Sequence, residues 1–192
     1  MYQDAFATFP VLETERLLLR QLEMTDADDL YEYAKDHDAF CYTDGFPRKY
    51  DEVQQMIGIW RNEAYQSQRF IRWGIELKAE GKLIGGIYLF DPHGNDASGR
   101  RMDMGYDISR VYWNRGYASE AIRAVCEYGF SVMGLVRIQA LVLPENMGSV
   151  RACEKAGMVR EGMLRNYCHY EHNGNNLRTM AVMACVPGDF VK

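Results

Sequence analysis

The sequence contains no long uncharged apolar run, no paired-cysteine motif and no excess of basic residues. Because a bilayer-spanning helix needs roughly 20 consecutive apolar residues, we expect no membrane-spanning segment and no membrane partner. The N-terminal residues lack a basic stretch followed by an apolar one, so they do not resemble a secretory signal. The five cysteines are odd in number and form no CxxC pair, which argues against a disulfide framework or a structural zinc site. We therefore expect a reducing, cytoplasmic location.

The charge and the length narrow the class of protein further. A formal net charge of −5 argues against nucleic-acid binding, which usually requires a basic surface. The sequence shows no repeat, low-complexity segment or linker, and its five prolines are scattered singly. With 192 residues, 47% of them hydrophobic, a chain of this size can bury ~70% of its unfolded surface. We expect one domain over residues 1–192, with a core from about residue 12 to about residue 186.

The hydrophobic periodicity predicts the order β, α, α, β, β, β, α, β, α, β, β, which is typical of an α+β fold. The central three strands are short and separated by turn residues, so we expect an antiparallel meander there. The first helix is predicted to be capped by Thr25. The other predicted helices cover 51–66, 117–133 and 149–156, and the predicted strands cover 15–22, 70–77, 82–90, 102–108, 136–143, 159–167 and 178–186.

A strand, a tight turn and a helix follow one another over residues 102–121. Gly116 permits a tight backbone turn, and the free N–H groups of the helix start would form an anion site suited to a pyrophosphate. The small Ala118 and Ser119 leave room for such a group, the Ser119 hydroxyl adds a donor, and Arg115 can neutralise a phosphate. The alternative is an ordinary strand-to-helix turn. The P-loop and Rossmann glycine patterns are missing from the sequence.

Three segments in order resemble the GNAT superfamily of acyl-CoA-dependent N-acyltransferases, and more narrowly its ribosomal-protein (Rim-type) branch. They are TERLLLRQL near the start, MGYDIS…YWNRGYASEA in the middle and PENMGSVRACEKAGM after it. The resemblance covers about Leu12 to Cys185. It implies a mixed, mostly antiparallel central sheet with helices on both faces and a V between two parallel strands. It also implies transfer of an acetyl group from acetyl-CoA to a primary amine, by direct attack in a ternary complex.

The resemblance also implies which residues hold the cosubstrate. The turn amides would bind the pyrophosphate, the strand backbone up to Ile108 would pair with pantetheine, and the next helix would contribute Asn146 and Ser149. The cofactor-binding residues expected in this way are Ile108, Trp113, Asn114, Arg115, Gly116, Tyr117, Ala118, Ser119, Asn146 and Ser149.

The resemblance also bears on the general acid and the general base. The wider superfamily uses a tyrosine as the general acid, but this sequence has Cys153 at that position. Ser149 is therefore the expected replacement, as in the Rim-type branch. The alternative for Ser149 is a helix-capping residue. Asp103 is the expected general base, and Asp107 is a similar candidate on the same strand face. The alternative for Asp103 is a structural ion pair.

The remaining polar candidates are weak. Cys168, His169 and His172 are spaced too loosely to predict a metal site, and we expect no metal. The loop 37–50 would border the acceptor. The acceptor is expected to be a small-molecule amine or a protein N-terminus, and the protein a monomer or homodimer. A non-catalytic acyl-CoA-binding sensor or interaction module is the competing hypothesis.

Overall fold

The computed structural model describes residues 3–36, 42, 49–90, 101–170 and 176–190. The element order is β1-β2-α1-α2-β3-β4-β5-α3-β6-α4-β7-β8. No helix in these ranges is both long and apolar enough to cross a membrane. The helices are α1 (Ala27–Ala34), α2 (Tyr50–Ile59), α3 (Tyr117–Ser131) and α4 (Met147–Ala156). The strands are β1 (Leu12–Glu13), β2 (Leu17–Arg20), β3 (Phe70–Leu77), β4 (Lys82–Phe90), β5 (Arg101–Ile108), β6 (Arg137–Val142), β7 (Val159–Tyr170) and β8 (Asn176–Cys185).

The eight strands form one sheet in the order β1-β2-β3-β4-β5-β6-β8-β7. Neighbouring strands are antiparallel except β5 and β6, which run parallel. Those two strands pair over Arg101–Asp103 and Arg137–Gln139. Beyond these residues β5 continues to Ile108 and β6 to Val142. The sheet therefore opens into a V at its centre, as expected from the resemblance.

Helices cover both faces of the sheet because its strands alternate apolar residues towards two cores. One core packs α3 and α4 residues such as Cys126 and Cys153 against Met104 and Ile138. The other packs α1 and α2 against the opposite face, around Leu83. On β5, Met102, Met104 and Tyr106 thus face α3 and α4, whereas Asp103, Gly105 and Asp107 face α1 and α2.

The predicted start of the first helix was wrong. The helix is preceded by a 3-10 turn, Met24–Asp26, whose N-cap is Glu23 instead of Thr25. The Asp26 carboxylate accepts the Glu23 backbone N–H at 2.7 Å and pairs with Arg20, so it takes the stabilising role assigned to Thr25. The second predicted helix, 51–66, is not uniform: the α-helix runs to Ile59, a π-helical turn, Trp60–Ala64, follows, and the helical backbone continues to residue 66.

Candidate functional site

Some backbone N–H and C=O groups of β5 point into the V. Ser109 N–H donates to the Ile84 carbonyl at 2.8 Å, next to the Gly85–Ile108 pair of the β4–β5 ladder. In an antiparallel ladder this pattern turns the N–H and C=O of Ile108 away from β4, and by alternation those of Tyr106 as well. The Ile108 carbonyl is taken by Trp113 Nε1 at 2.7 Å. The Ile108 amide is therefore the group that β5 offers to the V at its open end.

The predicted anion-binding turn has the geometry that such a site requires. Asn114 and Gly116 both have positive φ, 61° and 83°. Gly116 is the N-cap of α3 and makes no side-chain cap hydrogen bond. The first bond of the helix runs from Glu120 N–H to the Gly116 carbonyl, so the amides of residues 117–119 precede the helical hydrogen-bond ladder. These amides and the helix dipole suit a pyrophosphate.

Two side chains of this turn do not lie as expected. The Ser119 hydroxyl donates to the Gly116 carbonyl at 2.9 Å, so its proton is used within its own turn. The Arg115 guanidinium lies over the Tyr112 ring, 5.5 Å from the centroid. The backbone amides are thus the main donors that the turn presents.

Arg16 is a neighbour of this turn that the sequence analysis missed. Its Nη1 donates to the Arg115 carbonyl at 2.9 Å, its Nε donates to Glu120 at 2.7 Å, and its guanidinium lies 4.6 Å from the centroid of the Tyr117 ring. Glu120 also accepts from the Thr14 hydroxyl at 2.6 Å. Burial opposes ionisation of Glu120, but these hydrogen bonds outweigh it and lower its pKa. The ion pair between Arg16 and Glu120 therefore connects the turn to the segment between β1 and β2 and stabilises it.

Asn146 and Ser149 lie together at the start of α4. Asn146 is the N-cap, and its Oδ1 accepts the Ser149 backbone N–H at 3.1 Å. The helix begins at Met147, two residues earlier than predicted, so the capping role belongs to Asn146. The Ser149 hydroxyl instead lies 2.6 Å from the hydroxyl of Tyr106 on β5.

Tyr106 was not singled out in the sequence, although it lies within the GYD segment. Its hydroxyl lies 3.1 Å from the Ser149 carbonyl and 3.4 Å from Cys153 Sγ. Burial raises the pKa of Tyr106 well above its usual range. Burial also raises the pKa of Cys153 to about 11, so this thiol is protonated and poorly suited to be a nucleophile.

Asp103 lies at the closed end of the V, opposite Gln139 in the parallel pair, and is 7% exposed. It lies on the opposite face of β5 from Tyr106. The charge of Asp103 acts on Arg137, whose pKa is raised chiefly by a hydrogen bond to Glu161 and to a smaller extent by that charge. A buried carboxylate at the apex of the V can accept a proton from a group entering from the α1–α2 face.

Asp107, the second base candidate, is engaged in a structural contact. Its Oδ2 lies 2.7 Å from Arg72 Nη2, and its Oδ1 accepts from the Tyr33 hydroxyl at 2.8 Å. Arg72 is buried between aromatic rings, 4.1 Å from the Trp60 centroid and 5.2 Å from the Tyr88 centroid. Because its oxygens already bind two buried donors, Asp107 is a poor proton acceptor for a substrate.

The other candidates contribute little to this site. β7 continues to Tyr170, so Cys168 and His169 lie on a strand. Cys168 lies opposite Arg178 in the β7–β8 ladder. Within the described ranges, there is no group of three or more His, Cys, Asp or Glu residues that could hold a metal ion. His172 and most of the loop 37–50 lie outside the described residues.

Comparison with known proteins matches this architecture to acetyltransferases. The family model for the acetyltransferase (GNAT) domain matches residues 16–159. The N-acetyltransferase YoaA of Bacillus subtilis (strain 168) is 37% identical over 169 residues, covering 84% of this chain and 89% of that protein. A GNAT-family acetyltransferase structure from Bacillus anthracis superposes with a TM-score of 0.78 at 29% identity, covering 92% of this chain and 98% of that one.

A structure of Mycobacterium smegmatis RimJ, in complex with CoA-disulfide, shares the fold with a TM-score of 0.80 at 21% identity. It covers 92% of this chain and 84% of that chain. Fold and relatives together define the class as N-acetyltransferases. This chain belongs to the GNAT acetyltransferase family.

Proposed function

We propose that this protein transfers the acetyl group of acetyl-CoA to a primary amine, by direct attack in a ternary complex. The observation that carries the proposal is the V between β5 and β6, which has a buried carboxylate on one face and hydroxyl groups on the other. The acceptor is a protein N-terminus or a small-molecule amine.

The residues present fit acetyl-CoA. The amides of residues 117–119 would bind the pyrophosphate, and Gly116 permits close approach because it has no side chain. The Ile108 amide and the Asn146 side-chain amide would bind the pantetheine arm. Acetyl-CoA, when bound, supplies the acetyl group as a reactive thioester.

Asp103 and Ser149 divide the proton chemistry in this proposal. A lysine-like amine has a pKa near ~10.4 and is protonated at neutral pH, so a base is needed before it can attack. Asp103 accepts that proton, directly or through water, from the α1–α2 face. Ser149, on the α4 side, donates a hydrogen bond towards the sulfur as negative charge develops there.

The test is acetyl-CoA binding by calorimetry, followed in the same preparation by thiol release with panels of small amines and N-terminal peptides. Saturable binding with release for one class of amine is expected. Binding without release for any amine would contradict catalysis and favour the sensor hypothesis. No binding would mean that the turn 113–118 does not hold a pyrophosphate.

The Asp103→Asn variant tests the base within the same assay. It keeps the shape of the side chain and removes the proton acceptor, so kcat at neutral pH should fall by about tenfold or more. The loss should shrink at high pH, where the amine is already neutral. Glu127→Gln, an exposed position on α3, is the control for loss of one negative charge. A loss that is independent of pH would contradict the base assignment.

A further inference from the structure

The contact between Tyr106 and Ser149 joins the two arms of the V. Tyr106 belongs to β5, whose backbone points into the V at this residue, and Ser149 lies in the first turn of α4, which follows β6. The two hydroxyl oxygens are 2.6 Å apart. A short bond between side chains that lie 43 positions apart in the sequence, at the expected thioester position, calls for a chemical explanation.

The groups around the Tyr106 hydroxyl bear on the direction of its hydrogen bonds. Cys153 is fully buried, and its Sγ lies 3.4 Å from the Tyr106 hydroxyl. Burial raises the pKa of this thiol to about 11, so it is uncharged and does not compete strongly for the phenol proton. The phenol proton has two oxygen acceptors in reach, the Ser149 carbonyl at 3.1 Å and Ser149 Oγ at 2.6 Å, and the shorter distance favours Ser149 Oγ.

We propose that Tyr106 is a positioning residue for Ser149: it donates to Ser149 Oγ, and the Ser149 proton is thereby directed at the thioester sulfur. The inference rests on the proposed acetyl transfer. In the reverse arrangement Ser149 would donate to Tyr106 and would have no proton left for the sulfur. Among the described residues, the hydrogen-bond partner of Ser149 Oγ is the Tyr106 hydroxyl, which leaves the direction of the V for the Ser149 proton.

In this proposal the donors run from Tyr106 to Ser149 and then to the sulfur. As the amine nitrogen bonds to the carbonyl carbon, the carbon–sulfur bond breaks and its electron pair remains on sulfur. A preorganised donor stabilises that developing charge without reorganisation. Cys153, Tyr106 and Ser149 keep their protons in this step, and the proton of the amine goes to Asp103 as in the proposed function. The thiolate is protonated from solvent after it leaves.

The kinetic test uses Tyr106→Phe, Ser149→Ala and the double variant. Tyr106→Phe should lower kcat by about tenfold or more and leave the KM for acetyl-CoA within about threefold. The double variant should be no slower than Ser149→Ala, because both changes remove the same hydrogen bond to sulfur. The matched control is Tyr128→Phe, which removes a phenol hydroxyl that donates to the Ala5 carbonyl away from the V. Its kcat should be unchanged.

A second measurement does not depend on turnover. The thiol of bound CoA is titrated by the ultraviolet absorbance of its thiolate, as a difference from the complex with desulfo-CoA, which removes the signal of the protein's tyrosines. A donor aimed at sulfur stabilises the thiolate and lowers the pKa of the bound thiol. Tyr106→Phe and Ser149→Ala should each raise that pKa towards the value of free CoA, and Tyr128→Phe should not.

The outcomes separate the two proposals. Binding of CoA with the expected thiol titration but no turnover with any amine would overturn the proposed function and support the role of Tyr106. Turnover with an unchanged or faster Tyr106→Phe enzyme, or with additive losses in the double variant, would overturn the role of Tyr106 alone. If CoA does not bind, both proposals fail.

Discussion

Arg16 Nη2 lies 2.6 Å from Glu120 Oε2, which ties the segment between β1 and β2 to the first turn of α3. The same carboxylate accepts hydrogen bonds from the Thr14 hydroxyl, the Arg16 backbone N–H and Arg16 Nε. With the Nη2 contact, it therefore makes four contacts. A negative charge in the first turn also suits the helix dipole. The guanidinium compensates that charge next to the turn where we propose that a pyrophosphate binds.

Glu120→Gln should destabilise the protein at neutral pH by about 1–3 kcal/mol, because charge-assisted hydrogen bonds are lost. The pKa of Glu120 is lowered from its ordinary value of 4.5, so its stabilising effect is complete above that pH and is lost as the pH falls through the lowered pKa. Urea unfolding of both proteins should therefore show a difference at pH 7 that shrinks in acid below pH 4.5. Glu127→Gln is the control, and a pH-independent difference would contradict the ion-pair explanation.

Ser119→Asp should separate the stability of α3 from its affinity for acetyl-CoA. A carboxylate in the first turn stabilises a helix by about 0.3–1 kcal/mol. The same charge would repel a pyrophosphate at the turn amides, so the Kd for acetyl-CoA should rise about tenfold, or ~1.4 kcal/mol. Ser131→Asp adds the same charge at the other end of the helix, roughly 18 Å away. Calorimetry and thermal unfolding check both; equal affinities for the two variants would argue against an anion site at the turn.

Asp107→Asn should unfold the protein more easily by about 3–5 kcal/mol, because it leaves the buried Arg72 without a counter-charge. The control is Glu161→Gln, which breaks an ion pair of similar length: Arg137 Nη2 and Glu161 Oε2 are 2.6 Å apart. The Glu161 side chain is 42% exposed. That control should cost at most about 1 kcal/mol. Urea unfolding measures both, and similar costs would mean that Arg72 finds another partner.

Gly105→Ala should destabilise the protein by about 1–3 kcal/mol through overpacking. A Cβ at Gly105 would lie 2.3 Å from the Tyr88 hydroxyl and ring, so the ring that stacks against Arg72 must move. Gly162→Ala is the matched control, because nothing lies within 4 Å of its Cβ position. Its stability should change by about 0.5 kcal/mol or less. A Gly105→Ala protein as stable as the control would show that Tyr88 moves at no cost.

Cys153 should remain unmodified under conditions that alkylate Cys168. The pKa of about 11 leaves little thiolate at pH 8, and Cys153 is fully buried, whereas Cys168 is partly exposed. Mass spectrometry after brief treatment with iodoacetamide gives the order of labelling. Incubation with acetyl-CoA should leave no acetyl group on Cys153; an acetylated thiol would indicate a ping-pong route.

Local patterns predicted much of the fold. The alternation within 70–77 and 82–90 matches β3 and β4 residue for residue, and Gly116 marks the start of α3. Thr25 failed as a cap because a neighbouring carboxylate, Asp26, also had a partly buried arginine, Arg20, to bind. That competition depends on tertiary contacts. The π-helical turn after Ile59 keeps an apolar spacing close to that of an α-helix, so periodicity did not separate the two.

The candidate site has a signal in the sequence where its residues are consecutive, and it has none where its residues form distant pairs. The turn 113–118 and the Asn146–Ser149 spacing are visible in the sequence. Tyr106 and Ser149 are 43 positions apart, and Arg16 and Glu120 are 104 apart, so neither contact has a local signal. Asp103 and Asp107 have the same residue type and lie on the same strand face, and the contacts of Asp107 with Arg72 and Tyr33 have no local signal in the sequence.

The opening between β5 and β6 interrupts the hydrogen-bond ladder in the middle of the sheet beyond Asp103 and Gln139. Three residue pairs at the closed end join the two halves of the sheet there. An extended pantetheine arm between the two strands would hydrogen-bond to the strand backbone as a neighbouring strand does, for as long as the cosubstrate is bound. Hydrogen exchange of the Ile108 amide would then slow when CoA binds and recover when CoA leaves, so the two halves of the sheet would be joined more firmly in the complex than in the free protein.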